Sequence, residues 1–487
     1  MAGCERKLEE ILREGLDSIP IFCFGFSVPE IDNAPVADMT GRLPEDILSS
    51  ILSLISLREA ATTSILSKRW RYLWRTSSNL DLDAKNMLGH FLSLKHFQMQ
   101  HTQWKQDQKG RFVRWVNHIL EVHVGKKVDS FRVKYPLGSD HGCDVDRWIR
   151  CATDMQVQKL DIDLLDECFF SIPANFNGLK SLSSLSLKKT SLNQENVDNI
   201  LTSCPSLEWF SMSECHCPFH LKLSSGCQFL RLRHLSICRC NPLEKVEIHD
   251  AISIASIEYT AKMFGQVLLK NSAQPIRLCL SLQSGRRNLQ SVPRTQMRYI
   301  LGTLAKDFPQ VETLLVCTPL VEVDIIPKHF TTFTRLKQLK LLGVRLRKTL
   351  LDLTSTFLEA APSLVKLEMD LHLLCNEEEQ IEHQKILEGA DYTEHKKIPL
   401  KEYCQHQHLK EVVLHSFRGY PNEFDLVVLL LKNALLLEEM RILLPMRVYI
   451  DDGECLVMNI CSPQIERKQI LKILGSEVPS TVNLVLV

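Results

Sequence analysis

The chain contains 487 residues, 45% of them hydrophobic, which is enough for two or three globular domains with their own cores. Lysine plus arginine and aspartate plus glutamate number 58 each, which excludes a field of one sign that would recruit nucleic acid or an anionic membrane. The 17 cysteines form no Cys-x-x-Cys pair, and no Asn-x-Ser/Thr sequon occurs. These features favour reduced thiols in an intracellular protein of the nucleus and/or cytoplasm.

Residues 1–38 predict a poorly ordered N-terminal segment. Their longest apolar run, residues 19–28, contains Pro20 and Gly25, and it is far shorter than the ~20 residues that a membrane-spanning helix needs. The mixed charge of residues 5–14 differs from the basic start of a signal peptide. We therefore expect neither secretion nor a membrane partner.

Residues 43–74 predict three short helices. Pro44 suits the first turn of the first helix, residues 56–59 predict a break, residues 60–66 a second helix, and Ser67 the N-cap of a third. The first helix carries two neighbouring apolar rows, a face broader than so short a segment can bury by itself. The rows consist of Ile47, Ile51 and Leu54, and of Leu48, Leu52 and Ile55.

The same segment carries a motif of Leu43-Pro44, Ile51-Leu52-Ser53, Thr63-Ser64, Leu66-Ser67-Lys68-Arg69-Trp70 and Leu73-Trp74. This motif resembles the F-box in its plant form. The resemblance implies docking on a Skp-type adaptor and, through it, on the cullin and RING subunits of a ubiquitin ligase. The alternative is a helical bundle that only caps the next domain. The resemblance places the adaptor contacts at Leu43, Pro44, Ile47, Ile51, Leu52, Ile65, Leu66 and Trp70.

Two positions depart from that family pattern. Ile55-Ser56 stands where Leu-Pro is usual, and Ala61 stands where valine is frequent. The absence of the proline is expected to loosen the turn between the first two helices. The smaller Ala61 is expected to remove apolar contact, so both changes would lower adaptor affinity.

Apolar residues at 112, 115, 116, 119 and 120 predict an amphipathic helix ahead of a strand at residues 130–134. The stretch FVRWVNHIL at residues 112–120 resembles the helix that joins the F-box to the repeats in plant F-box proteins.

From residue 157 the chain repeats the pattern apolar-x-x-apolar-x-apolar, the signature of leucine-rich repeats. The last two apolar residues point to one face of a short strand, and the first packs beneath them. One repeat cannot cover that face, so neighbours stack into a solenoid with a parallel sheet. Four copies follow at intervals of 25 residues: Val157-Leu160-Ile162, Leu182-Leu185-Leu187, Leu207-Phe210-Met212 and Leu232-Leu235-Ile237. Weaker copies begin at residues 243 and 254, and later ones at 311, 336, 364, 409 and 437.

Beyond a polar insertion at residues 373–402, the sequence resembles the FBD domain that closes many plant chains of this kind, and it predicts strand, turn, helix and strand. The matching residues are Leu409, Lys410, Val412, Leu414, Phe417, Gly419, Glu423, Leu426, Leu430, Ala434, Leu437 and Met440. The predicted fold is α/β, an N-terminal three-helix F-box followed by a leucine-rich-repeat solenoid with a parallel sheet and an FBD unit. The predicted domains are a poorly ordered segment (1–38), the F-box (39–85), the solenoid (110–372), the insertion (373–402), and the FBD and C-terminal cap (403–487).

Residues that flank the buried pair of each strand should face outward on the concave side of the sheet. Trp209 stands there between small serines, a setting typical of a hot-spot anchor. The alternative is that it packs against a neighbouring strand. The predicted contacts with a target protein are Asp161, Asp163, Ser186, Trp209, Ser211, His234, Lys340 and Glu368.

Two further clusters suggest other chemistry. The first contains thiol and imidazole ligands that zinc prefers, but it lacks paired spacing, so we interpret its cysteines as buried thiols and predict no metal and no cofactor. The second, basic residues beside two tryptophans, suggests nucleic-acid contact, but the neutral chain favours a solvated basic face and no nucleic-acid partner. The first cluster is Cys215, His216, Cys217, His220, Cys227, Cys238 and Cys240, and the second is Lys68, Arg69, Arg71 and Arg75.

No phosphate-binding glycine loop, HExxH or G-x-S-x-G motif occurs, so we predict a non-catalytic protein. The sequence favours the substrate-recognition subunit of an SCF-type (Skp, cullin, F-box) E3 ubiquitin ligase that binds an unknown target protein. One alternative is an F-box-bearing scaffold that does not direct degradation. An enzyme on a repeat fold is disfavoured by the missing motifs.

Overall fold

A computed structural model describes residues 43–63, 70–88, 102–125, 127–164, 170–171, 179–223, 231–249, 252–261, 266–270, 276–282, 299–317, 329–344, 350–371, 405–444, 446–449, 455–458, 465–475 and 477–487. The chain forms two compact units, Met1–Phe170 with Gly178–Leu182, and Ser171–Asn177 with Ser183–Val487. The predicted N-terminal segment at 1–38 and the predicted insertion at 373–402 lie outside the described residues. The predicted domain ranges stay predictions.

The first unit combines short helices with three parallel strands. Its helices are α1 (Glu45–Ser53), α2 (Leu57–Thr62), α3 (Trp70–Leu73), α4 (Ala84–Leu88), α5 (Thr102–Val122) and α6 (Gly142–Asp154), with 3-10 turns at Trp74–Thr76 and Ser139–His141. Its strands are β1 (Asn79–Asp83), β2 (Ser130–Lys134) and β3 (Lys159–Asp163). Leu80 pairs with Phe131, and Phe131 pairs with Leu160, so the three strands are in register.

Aromatic rings from α5, α6 and the segment after β2 form the core of this unit. Phe112 stacks on Tyr135 with the ring centroids 3.9 Å apart, and it meets the edge of Trp148 at 6.2 Å. The indole N–H of Trp148 donates to Asn117 Oδ1 over 2.8 Å. The stripe predicted for residues 112–120 faces this core, with Phe112, Val116 and Ile119 buried.

The second unit is built on a large parallel sheet in which each strand pairs with the next one named. Strand β4 (Phe170–Ser171) lies at the border of the units in the sequence. The strands of the large sheet are β5 (Ser184–Lys188), β7 (Trp209–Ser213), β9 (His234–Cys238), β11 (Ser256–Ala261), β13 (Ile276–Leu282), β14 (Val311–Cys317), β15 (Gln338–Val344), β16 (Lys366–Leu371), β17 (Glu411–His415), β18 (Glu439–Ile442) and β21 (Asn483–Leu486).

Smaller elements surround this sheet in the second unit. A parallel sheet contains β8 (His220–Leu223), β10 (Lys245–His249) and β12 (Gln266–Lys270), and an antiparallel pair contains β19 (Met446–Tyr449) and β20 (Cys455–Met458). The remaining elements are β6 (Thr190–Ser191), α7 (Gln194–Ser203), a π-helical turn (Ile300–Leu304), α8 (Ala305–Asp307), α9 (Leu350–Ala360), α10 (Pro421–Asn433) and α11 (Arg467–Leu474). The predicted fold class, a mixed α/β chain with a parallel repeat sheet, is confirmed.

The 25-residue period of the sequence is one strand step in the large sheet. Leu185 lies opposite Phe210, and Phe210 lies opposite Leu235. All three side chains are at most 1% exposed, as expected when each repeat covers the apolar pair of its neighbour.

The turns that follow these strands repeat with the same period. Lys189, Glu214 and Arg239 have φ angles of 56°, 52° and 55°, a left-handed conformation that costs a residue other than glycine about 1–2 kcal/mol. The Glu214 carboxylate lies 2.9 Å from Arg239 and 3.7 Å from Lys188. Side chains of adjacent turns therefore pair with one another and help to offset the backbone strain.

The two weaker copies of the repeat have different structures. The copy that begins at Leu243 forms β10 in the small sheet, whereas the copy at Ile254 forms β11 in the large sheet. The pattern does not predict β13, because Ile257 pairs with Leu278 and Leu278 with Leu314, steps of 21 and 36 residues. Segments of irregular length between strands hide such repeats from a search for a fixed period.

The C-terminal strand, turn, helix and strand form as predicted in β17, α10 and β18. Glu423 is fully buried in the first turn of α10. Its Oε2 accepts the backbone N–H groups of Arg418, Gly419 and Tyr420 over 2.9, 2.7 and 3.1 Å. Its Oε1 has no hydrogen-bond partner among the described residues. One carboxylate oxygen thus fixes the turn that leads into α10.

Two glycines offer a matched test of the packing. Gly419 has φ +83°, and a Cβ built there lies 2.7 Å from Ile465 Cδ1, whereas a Cβ on Gly110, inside α5, meets nothing within 4 Å. Gly419→Ala should lower the free energy of unfolding by about 1–3 kcal/mol, and Gly110→Ala should raise it by about 0.5–1 kcal/mol. Urea unfolding of both variants measures these changes. An unchanged or raised free energy of unfolding in Gly419→Ala would contradict the packing described for Gly419, and a lowered one in Gly110→Ala would contradict the open space at Gly110.

Glu423 should make the stability of the second unit depend on pH. Burial outweighs the three N–H donors and raises its pKa to about 7 from an ordinary 4.5. Because the folded state keeps a proton that the unfolded state loses, stability should fall as pH rises from about 4.5 to about 7, by about 3 kcal/mol in total. Glu423→Gln should flatten this part of a urea-unfolding profile against pH. An unchanged slope in the variant would assign the pH dependence to other groups.

Candidate functional site

Helix α1 divides its apolar residues between the core and the surface. Leu48 and Leu52 are 0% and 2% exposed, whereas Ile47, Ile51 and Leu54 are 47%, 41% and 85% exposed. Leu43 and Ile55 add exposed apolar surface at either end of the helix. We call these five exposed residues (Leu43, Ile47, Ile51, Leu54 and Ile55) the α1 apolar patch.

The predicted adaptor contacts fall into three groups. Leu43, Pro44, Ile47 and Ile51 lie on the surface. Leu52 and Trp70 are buried in the first unit, so their side chains stabilise the helices and are not available to a partner in this structure. Ile65 and Leu66 lie outside the described residues. The prediction omitted Leu54 and Ile55, although the helical spacing of Leu54 after Ile47 and Ile51 is a signal for it.

The turn between α1 and α2 is closed by hydrogen bonds. The Ser56 hydroxyl accepts the N–H of Glu59 over 3.3 Å, and the N–H of Ser56 donates to Glu59 Oε2 over 2.9 Å. The break predicted at residues 56–59 is therefore wrong after Ser56, because α2 already begins at Leu57. This capping box stands in place of the usual proline, so the structure does not show the expected loosening.

The start of α1 also differs slightly from the prediction. Pro44 is the N-cap of α1 and not a residue of its first turn, and its carbonyl accepts the N–H groups of Ile47 and Leu48 over 3.1 and 3.2 Å. The predicted N-cap Ser67 lies outside the described residues.

Backbone hydrogen bonds join the chain after α3 to the stretch between α5 and the start of β2. The carbonyl of Ser78 accepts the N–H groups of Asp129 and Ser130 over 2.7 and 3.1 Å, and the N–H of Val124 donates to the Arg75 carbonyl over 3.0 Å. The α1 apolar patch is therefore attached to the same compact unit as β1, β2 and β3.

The alternate side chains of the sheet strands, opposite the buried apolar pairs, form what we call the open face. On β1 to β3 this face is a charge ladder. Arg132 lies 2.7 Å from Asp81 and 3.1 Å from Asp83, and Lys134 lies 3.7 Å from Asp163. Two predicted target contacts belong to this ladder, because Asp163 is paired and only 5% exposed and Asp161 lies opposite Arg132 in register.

The open face of β15 to β17 is also paired within the chain. Glu368 lies 2.7 Å from Lys340 Nζ and 2.9 Å from His415 Nε2. The hydrogen bond from His415, followed by that from Lys340, lowers the pKa of Glu368 to about 2. Ser416 donates to buried Asp370 over 2.6 Å. Lys340 and Glu368, two more predicted target contacts, thus already satisfy each other.

The open face of β5, β7 and β9 is different. Trp209 is 43% exposed, and its ring lies 5.0 Å from the ring of His234 at an interplanar angle of 35°. Ser184 lies opposite Trp209 and Ser186 opposite Ser211 in register. We call Ser184, Ser186, Trp209, Ser211 and His234 the serine–tryptophan patch, and it brings together four of the predicted target contacts. The ring of Trp209 contacts a neighbouring strand and also remains exposed, and its role as a hot-spot anchor stays a prediction.

The cysteine cluster consists of thiols in the described part of the chain. Cys215, Cys217 and Cys240 are buried and free. Burial raises the pKa of the Cys215 thiol well above its ordinary value, and its Sγ donates to the Leu187 carbonyl over 3.4 Å. Within the described ranges, no three His, Cys, Asp or Glu side chains are placed to hold a metal ion. Cys227 lies outside them.

Two family models match this chain. The F-box domain model matches residues 41–82, and the model described as "At1g61320/AtMIF1, LRR domain" matches residues 163–487, more than half of the chain. The chain belongs to the plant F-box proteins with leucine-rich repeats. Its F-box match contains the whole α1 apolar patch, and its repeat match contains the serine–tryptophan patch.

Named relatives from Arabidopsis thaliana support this family. "Putative F-box/LRR-repeat protein At3g58880" is 26% identical over 250 residues, 46% of this chain and 53% of the relative. "Putative F-box/LRR-repeat protein At3g42770" is 33% identical over 171 residues, 34% of this chain and 29% of the relative. "FBD-associated F-box protein At5g56370" is 25% identical over 346 residues, 62% of this chain and 75% of the relative. The chain thus spans about half of the length of the first relative and less than a third of the second.

Among the helices of the described residues, none combines the length and the hydropathy that crossing a bilayer requires.

The capping box of this F-box protein can be tested with matched variants. Ser56→Ala should lower the free energy of unfolding by about 1 kcal/mol, because the N–H of Glu59 loses its acceptor. Ser56→Pro loses both the hydroxyl that accepts from Glu59 and the N–H that donates to it, but its ring fixes φ near the −65° that Ser56 already has. Because this restricts the unfolded chain, its net loss of stability should be smaller than that of Ser56→Ala. Thr62→Ala removes an exposed hydroxyl that donates to the Glu59 carbonyl over 2.7 Å in the same helix. Because alanine has the higher helix propensity, this variant should not destabilise. Thermal unfolding measures all three, and equal losses at Ser56 and Thr62 would argue against the capping box.

Proposed function

We propose that this F-box protein is the substrate-recognition subunit of an SCF-type ubiquitin ligase. The F-box binds a Skp-type adaptor, and through it the cullin and RING subunits, while the repeats bind a target protein. The observation that carries this proposal is the α1 apolar patch, which the first unit leaves uncovered although it buries the neighbouring row of the same helix.

The patch has the physical character of a docking surface. Five apolar side chains on about three turns of chain form a contiguous stripe, and burial of each one by a partner contributes up to about 1.5–3 kcal/mol. Contiguous exposed apolar surface of this kind marks sites of association. The match to the F-box domain model supports a Skp-type adaptor as the partner.

In this proposal the chain itself does no bond chemistry. It holds target lysines close to a ubiquitin-charged enzyme elsewhere in the assembly, which raises their effective concentration. The nucleus and the cytoplasm, where such assemblies act, are the proposed locations. Target binding by the repeats is the part of the function that distinguishes this subunit from others on the same adaptor.

Ile51→Glu should abolish binding of a purified Skp-type adaptor, because a charge replaces an exposed apolar side chain at the centre of the patch. The free energy of unfolding should change by less than about 0.5 kcal/mol, since Ile51 lies outside the core. Leu471→Glu, at an equally exposed leucine of α11 in the second unit, is the matched control and should bind normally. Pulldown and thermal unfolding provide the measurements.

Retained adaptor binding in Ile51→Glu would move the docking site away from α1. A second experiment separates a receptor from a scaffold: the half-life of captured proteins is measured after depletion of this chain. Longer half-lives support the receptor, and unchanged half-lives together with intact adaptor binding support a scaffold that does not direct degradation.

A further inference from the structure

The polar side chains of the open face differ in whether they are paired with other groups of the chain. Carboxylates on β1 to β3 and on β15 to β17 are paired within the chain. On β5 and β7, by contrast, the hydroxyls of Ser184, Ser186 and Ser211 and the indole N–H of Trp209 form no hydrogen bond with any group in the described ranges. Side chains that have no partner in the described part of the chain are the ones available to a ligand.

We propose that the serine–tryptophan patch binds an extended, uncharged peptide segment of the target protein, with a proline or aliphatic side chain packed against Trp209. This inference rests on the proposed function only in calling the bound protein a target. The surface and its chemistry follow from residues of the second unit alone.

The tryptophan supplies the apolar anchor. His234 supports one side of the indole at 5.0 Å, and the ring remains 43% exposed. Ser184, which lies opposite Trp209 in register, has a small side chain and leaves room beside the indole ring. A rigid aromatic surface next to small residues is a common setting for binding proline-containing or apolar segments.

The serines match the polar groups of an extended backbone. Each hydroxyl donates one hydrogen bond and accepts others, so it suits a peptide N–H as well as a peptide C=O. Ser184 and Ser186 lie two residues apart on β5, about 7 Å, which is the repeat of alternate residues in an extended peptide. A peptide that follows the strand direction therefore presents like groups to both hydroxyls.

The charge around the patch argues against an acidic or phosphorylated ligand. The patch contains no Lys, Arg, Asp or Glu. The nearest cation on β5, Lys188, is paired with Glu214 at 3.7 Å, and on the neighbouring strand Glu258 accepts from Ser236 over 3.0 Å. A phosphate or carboxylate placed on the serines would lose water without gaining a lysine or arginine of the patch as its partner.

The test uses the full chain in complex with its adaptor, immobilised and exposed to a phage-displayed library of unphosphorylated peptides. Enriched peptides should have a net charge near zero and share a proline or aliphatic residue. Their affinity for Trp209→Ala and for Ser211→Asp should fall at least tenfold. Phe219→Ala removes a 62% exposed aromatic outside the patch and should bind as the unchanged protein does.

Several results would overturn the inference: no enriched peptide, enrichment of acidic peptides, or equal affinity for Trp209→Ala. Binding to a carbohydrate array that is lost in Trp209→Ala would replace the peptide with a glycan. Ile51→Glu, immobilised as the full chain without the adaptor, separates the two proposals, because it should lose the adaptor and keep the peptides. Adaptor binding without peptide binding refutes the patch alone, and peptide binding without adaptor binding refutes the receptor alone.

Discussion

The apolar pair of each strand cannot be covered by its own repeat, and the rest of the second unit depends on this constraint. Leu185, Phe210 and Leu235 are buried only because each strand lies in register with the next. That register fixes which residues share a row on the open face and where the left-handed turns at Lys189, Glu214 and Arg239 meet. Because neighbouring strands pair side by side, a change in the sequence between two strands alters the loop while the strands remain paired.

Pairing also determines which parts of the open face are chemically available. Where a carboxylate lies opposite a cation in the next strand, as Asp81 does with Arg132, the two satisfy each other and gain little from a partner. Glu368 is held even more firmly, because it bonds to both Lys340 and His415. Serines have no charge to compensate, so their hydroxyls stay open to water and to ligands. Whether a polar side chain of the open face is available to a ligand therefore depends on its lack of charge as well as on its exposure.

The sequence predicts the repeats well, because a fixed period of apolar residues is a direct consequence of stacking. It also predicts two apolar rows on α1, but both have helical spacing, and only contacts with distant parts of the first unit decide that Leu48 and Leu52 are buried while Ile47 and Ile51 are exposed. The capping box of Ser56 and Glu59 was readable from its spacing. The pairing of Asp81 with Arg132 was not, since it needs a register between strands far apart in sequence.

The division of α1 into a buried and an exposed row has a further consequence for the whole molecule. A helix of nine residues is too short to be stable alone, so Leu48 and Leu52 must anchor it, and this anchoring leaves the exposed row in place without any partner. The helix is thus formed before docking, and a partner need not supply the entropy cost of ordering it. A surface prepared in this way can bind by covering apolar area alone, so the proposed docking at α1 would not depend on the proposed recognition at the serine–tryptophan patch.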